Sequence, residues 1–150
     1  MAFRYFEDFQ VGEVMTFGPH RLSEESILAF AREFDPQPFH IDLAAAEKSP
    51  FGGLIASGWH TGAVVMRLVV DGLLTQSASL GSPGMDEVRW LKPVRPGDAL
   101  TAKLEILEAK PSASRADRGT LKVGYDIRNQ RDESVMTMTA RVLFGRRPVG

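Results

Sequence analysis

The run Trp59-His60-Thr61-Gly62-Ala63-Val64-Val65-Met66-Arg67-Leu68-Val69-Val70-Asp71-Gly72-Leu73-Leu74 decides the architecture. Wound at helical spacing, its aliphatic side chains cover most of the circumference. A helix apolar nearly all round belongs inside something. Its one polar stripe carries Arg67 and Asp71, four apart and spaced to pair. The stretch is well short of the roughly 20 apolar residues a membrane span needs, and two charges break it. It is read as a buried helix of a soluble protein, with no membrane partner.

What surrounds that helix follows downstream. Leu100, Ala102, Leu104 and Ile106 alternate with Thr101, Lys103 and Glu105. Leu121, Val123, Tyr125 and Ile127 alternate with polar residues and Gly124, and Met136, Met138, Ala140, Val142 and Phe144 repeat the pattern. Period two marks strands with one buried face. Met85 to Leu91 is a fourth candidate strand, closed by Lys92-Pro93 and the turn Pro96-Gly97-Asp98. Val14 to Phe17 is a short fifth. Short connections between the later strands predict antiparallel hairpins. The expected class is α+β, a curved antiparallel sheet wrapped around one long central helix.

Upstream, Ser23 is placed to cap a helix, with Glu24 and Glu25 at its positive end and Leu22 and Ile27 as a hydrophobic staple. Ile27, Phe30, Ala31 and Phe34 recur at helical spacing, and Pro36 and Pro38 stop the helix. Asp42 is expected to cap a short helix from Leu43 to Lys48, and a Pro- and Gly-bearing loop runs from Ser49 to Gly58.

Composition narrows the functions. The 150 residues fit one domain, 1–150, and hydrophobic residues at 43% with charged residues at 25% are ordinary for a globular chain. A net charge of -1 with no basic stripe speaks against nucleic acid as a partner. The absence of cysteine excludes disulfides, thiolate metal sites and a cysteine nucleophile, and suits a cytoplasmic location. Met1 to Gly12 carries Glu7 and Asp8 and no apolar signal core.

The chemistry concentrates in Phe34-Asp35-Pro36-Gln37-Pro38-Phe39-His40. An acid and a histidine lie five apart on a segment that two prolines stiffen, and a catalytic pair has to be held in place before its substrate arrives. Histidine moves protons near neutral pH, and a neighbouring carboxylate can orient a water or accept its proton. Such a pair suits adding or removing water. The plainer reading is that Asp35 caps a turn and His40 is a buried, satisfied histidine. A second feature is Ala56-Ser57-Gly58-Trp59-His60, which leads into the apolar helix. Free N–H groups at a helix start, with a glycine that admits close approach, make a plausible oxyanion site for a thioester carbonyl. Gly58 alone would also serve simply to make the turn.

These pieces resemble the MaoC-like dehydratases, the (R)-specific enoyl-CoA hydratases and their relatives. The family loop reads Asp, any residue, Asn, Pro, any residue, His. Asp35, Pro38 and His40 match it, and Gln37 stands where many members have Asn. Gly58 falls where members carry a glycine at the start of the central helix, and Arg89 to Asp98 looks like the strand and turn that follow it. The resemblance covers nearly the whole chain. It implies a single hot-dog domain, with the helix as sausage and the sheet as bun, in a homodimer or higher homo-oligomer. It also implies a hydratase, a carbon–oxygen lyase acting on an acyl-CoA thioester without metal or redox cofactor. Asp35 and His40 would activate water, and the Gly58 amide would polarise the thioester carbonyl. Gln37, Ser57 and Trp59 are the expected substrate contacts; helix-start hydrogen bonding is as much expected of Ser57, and a core or pocket-wall place of Trp59. A thioesterase of the same fold and a non-catalytic acyl-CoA-binding module are the alternatives.

The other candidates point elsewhere. His60 is expected to be structural, His20 exposed, and Trp90 core or pocket wall. The three histidines show no metal-ligand spacing. Arg89, Lys92 and Arg95 are candidates for coenzyme A phosphates or, equally, solvated strand-end charges.

Overall fold

The computed structural model describes residues 2–149. In chain order its strands are β1 (Val14–Arg21), β2 (Gly84–Trp90), β3 (Ala99–Pro111), β4 (Arg118–Arg128) and β5 (Ser134–Gly145). Its helices are α1 (Glu24–Phe34), α2 (Pro38–Ile41), α3 (Leu43–Glu47) and α4 (Gly58–Gly72). The period-two runs become β3, β4 and β5, joined as antiparallel neighbours with Leu104 opposite Tyr125 and Tyr125 opposite Met138. Beyond those hairpins the sheet order is β1-β3-β4-β5-β2, all antiparallel. The two strands that precede and follow the helices therefore take opposite edges.

Alternation sets the core. Leu100, Ala102, Leu104, Ile106, Leu121, Val123, Ile127, Met136, Met138, Ala140 and Phe144 are all buried on the inner face. Val64, Val65 and Val69 of α4 join them in one apolar cluster. At about 1.5–3 kcal/mol for each large aliphatic side chain removed from water, this face supplies most of the drive to fold. The result is a hot-dog fold, with α4 lying along the curved sheet.

Several local features differ from the sequence pattern. The long helix runs from Gly58 to Gly72, and a 3-10 turn, Leu74–Gln76, follows it. It is not buried all round: Trp59 and Met66 are exposed, because the sheet covers one side only. Phe34, at the end of α1, is exposed and leans on Phe30 with ring centroids 5.1 Å apart. Pro38 does more than stop a helix. It opens one, standing at the first position of α2, where a missing N–H has no cost. Ser23 and Asp42 cap α1 and α3, accepting from the amides of Ser26 and Ala45. Among the described residues no helix is long and apolar enough to cross a membrane.

One close contact fixes how α4 meets the sheet. A Cβ on Gly72 would stand 2.2 Å from Phe17 Cδ1 and 2.6 Å from its Cε1. Gly72→Ala is therefore expected to destabilise the fold by roughly 1–3 kcal/mol through overpacking. The measurement is a urea titration, with a lower midpoint and an unchanged slope as the expected result.

Candidate active site

The acid and the imidazole meet because two short elements are stacked head to tail. Asp35 is the C-cap of α1, and its N–H donates to the Ala31 carbonyl at 2.8 Å. Gln37 caps α2, whose single turn carries His40 back toward Asp35. The His40 amide donates to the Gln37 carbonyl at 2.9 Å. Asp35 Oδ2 then lies 3.3 Å from His40 Nε2.

Each partner is held from behind. Nδ1 of the buried His40 ring lies 2.7 Å from the Ile55 carbonyl oxygen. A carbonyl only accepts, so Nδ1 carries a proton, and Nε2 is the ring nitrogen that faces Asp35. The Asp35 carboxylate accepts from Gln37 Nε2 on Oδ1 and from Ser57 Oγ on Oδ2, both at 2.7 Å. Partial burial pushes its pKa up, but the Gln37 and Ser57 hydrogen bonds and the neighbouring His40 charge outweigh that. The net effect holds the carboxyl below its usual range. Asp35 is thus an anion at neutral pH, with the imidazole Nε2 beside it.

Ser57 joins the pair to α4. Besides donating to Asp35, its oxygen accepts from the Trp59 amide at 3.3 Å as the helix cap. The residue is fully buried and lies outside the cleft lining, so the structure places it behind the carboxylate, away from where a substrate would sit. Gly58 comes next, at the first position of α4. Among the described residues no acceptor holds its N–H.

The open space in front is a cleft of about 460 Å³. Asp35, Gln37, His40, Gly58, Trp59 and Trp90 are among its lining residues. Of the basic candidates, Lys92 lines it and pairs with Glu133 at 2.8 Å. Arg89 pairs with Glu87 at 2.8 Å, and Arg95 donates to the Phe51 carbonyl at 2.7 Å. A second, apolar cavity of about 190 Å³ lies between α4 and the inner sheet, lined by Val65, Met66, Val69, Leu104, Met138 and Phe144 among others.

Two other histidines stand apart. His20 is exposed on β1. His60 is buried, stacks on Phe30 with centroids 4.7 Å apart, and leaves Nδ1 without a hydrogen-bond partner. Burial, with the charge of His20 added, holds its pKa below the ordinary 6.5. A depressed histidine pKa means the unfolded chain binds the proton more readily. Stability is therefore full above about pH 6.5 and falls as pH drops from there toward the lower folded value. Denaturant midpoints at pH 7.5 and 5 should show this loss, and His60→Phe should reduce it. Among the described residues no three His, Cys, Asp or Glu side chains come together as a metal site.

Three supports of the site have no sequence signature. The Ile55 carbonyl is backbone, the Ser57–Asp35 hydrogen bond spans 22 residues, and the Trp90 contact with Gly58 spans 32.

A hot-dog domain with an acid–imidazole pair beside a free helix-start amide defines the class. The chain belongs to the MaoC-like domain family, whose model matches residues 8–126. It is similar to the crystal structure of the MaoC-like dehydratase from Rhodospirillum rubrum, with 45% identity, a TM-score of 0.89, and coverage of 97% of this chain and 99% of that one. It is 32% identical over 140 residues to the protein YdeM of Bacillus subtilis, covering 93% of this chain and 98% of YdeM. It is 29% identical over 131 residues to a 3-hydroxybutyryl-CoA dehydratase of Methylorubrum extorquens, covering 82% and 77% of the two chains.

Proposed function

We propose that this protein is a hydratase/dehydratase that reversibly adds water across the double bond of a 2-enoyl thioester, giving a 3-hydroxyacyl thioester. The observation that carries the reading is the Asp35–His40 pair opening onto the same cleft as the unpaired Gly58 amide. The name of the Methylorubrum relative points the same way.

The chemistry follows from the atoms. A water between Asp35 Oδ2 and His40 Nε2 gives its proton to the imidazole as its oxygen bonds to C3. The C2–C3 π electrons move to C2 and the carbonyl oxygen, where the Gly58 N–H meets the developing charge. The imidazolium, held by the Asp35 anion, returns the proton at C2. No electron leaves the substrate, so the reaction needs no redox cofactor, and the proposed steps use only groups of the chain itself. Coenzyme A, where it occurs, is part of the substrate. Gln37 and Trp59 border the cleft, and the apolar cavity beside α4 supplies room for an acyl tail.

The proposed assembly is a homodimer, and the proposed location the cytoplasm. The first test is crotonyl-CoA with purified protein, followed by loss of enoyl-thioester absorbance and identification of 3-hydroxyacyl-CoA. Release of free thiol with no hydration would replace this reading with a thioesterase. Tight acyl-CoA binding with no turnover of any chain length would replace it with a binding module.

A further inference from the structure

Glycine at position 58 has a cause outside its own backbone. Gly58 does not adopt a left-handed conformation, so the helix start does not require it. What requires it is Trp90. A Cβ built on Gly58 would stand 2.7 Å from both Trp90 Cε2 and Nε1 and 3.0 Å from Cδ2. The indole lies directly on the Gly58 Cα. Its Nε1–H donates to the Gly58 carbonyl at 2.9 Å. Trp90 is the last residue of β2, held opposite Met136 of β5, so this hydrogen bond ties the first turn of α4 to the sheet.

The other side of the same segment is tied as well. Ser57 Oγ donates to Asp35. The Ser57–Gly58 peptide therefore runs between two anchors, the carboxylate of the acid–imidazole pair and the indole on the sheet edge. Its N–H is the one group left free to meet a ligand.

We infer that Trp90 is a positioning residue: its indole presses and hydrogen-bonds Gly58 into the place from which the amide meets the thioester carbonyl. This rests on the hydratase reading above. Trp90 also lines the cleft, so a wall role and a positioning role have to be separated. A wall acts on substrate binding and changes KM. A positioning residue acts on charge that develops only in the transition state and changes kcat.

Trp90→Phe keeps the ring and loses the N–H. Its expected cost is about five-fold in kcat, the size of one neutral hydrogen bond, with KM within about two-fold of wild type. Trp90→Ala frees the helix start and should cost about 10²-fold in kcat, the effect of an ångström of misplacement. The decisive measurement is the double variant. Gly58→Ala should be severe when the indole is present, because the new methyl strikes it, and mild in the Trp90→Ala background, where an alanine amide still donates. Strong coupling in kcat and in thermal midpoint is the expected result. Additive effects in both, or a Trp90→Phe change confined to KM, would overturn the inference. Failure of the hydratase reading looks different. The wild type would then turn over no enoyl thioester, and the coupling between positions 58 and 90 would be read in thermal midpoint alone.

Discussion

Asp35→Ala is expected to lower kcat for enoyl-thioester hydration by about 10³-fold, within the range that removal of a general acid–base group gives. The carboxylate has two tasks that alanine cannot perform. It holds one side of the attacking water, and it balances the charge that His40 gains when it takes the proton. Asp35→Asn tests which matters more. The amide keeps the shape and can still touch water, but it brings no negative charge to the imidazolium. An equal loss in both variants identifies the charge as the essential property. The fold should survive, because Asp35 is only partly buried and Ser57 continues to cap α4. Far-UV circular dichroism and thermal midpoints check that point.

The pH dependence follows with a definite sign. Gln37 and Ser57 hold the carboxyl below its ordinary value near 3.8. Its stabilising contribution is present above that value and is lost only as pH falls through the lower folded pKa. Asp35 therefore stays ionised across the neutral and mildly acid range, and a decline in turnover between pH 7 and 5 has to come from another group. Wild-type activity in Asp35→Ala with crotonyl-CoA would end the proposed mechanism.

Much of this fold was legible because its periods are clean. The alternation of β3, β4 and β5 named their inner faces residue by residue, and short connections made them neighbours. The placement of β1 and β2 at opposite edges was not legible. It depends on pairings between segments far apart in the chain, such as Met15 with Leu104 and Val88 with Met138. The Asp35 to His40 segment announced itself through residue type, proline content and family likeness. What holds the pair did not. A backbone carbonyl at Ile55 leaves no trace in sequence, and Trp90 reads as core or pocket wall, with nothing to show that it holds Gly58. Ser57 reads equally as a substrate contact and as a helix-start hydrogen-bond partner. Only its burial shows that its hydroxyl is already committed to Asp35 and the helix cap.

The exposed side of α4 leads to the second large effect. The sequence reads this helix as apolar nearly all round, yet Trp59 is 67% exposed and Met66 49% exposed. The adjoining sheet edge matches it: Met85 and Trp90 of β2 and the next residue, Leu91, are 51%, 43% and 50% exposed. β2 is the last strand of the sheet, so among the described residues one of its edges has no strand beside it. Apolar side chains next to an open strand edge are what a second copy of the chain would cover. The same strip borders both the cleft, through Trp59 and Trp90, and the apolar cavity, through Met66 and Met85. Covering it would shield both from water.

Met85→Asp is therefore expected to split the proposed homodimer. A charge left unpaired in a dry interface costs about 3–5 kcal/mol, or roughly 10²- to 4 × 10³-fold in the dimer dissociation constant. The isolated chain should tolerate the same change, because an exposed position ordinarily shifts stability by no more than about 0.5 kcal/mol. Sedimentation across a dilution series distinguishes these effects. Dimeric wild type beside a folded, monomeric Met85→Asp with reduced turnover is the expected result. A wild type that stays monomeric at micromolar concentration, or a Met85→Asp that dimerises as tightly as wild type, would mean that the apolar strip serves the pockets of a single chain and that the cleft is complete without a partner.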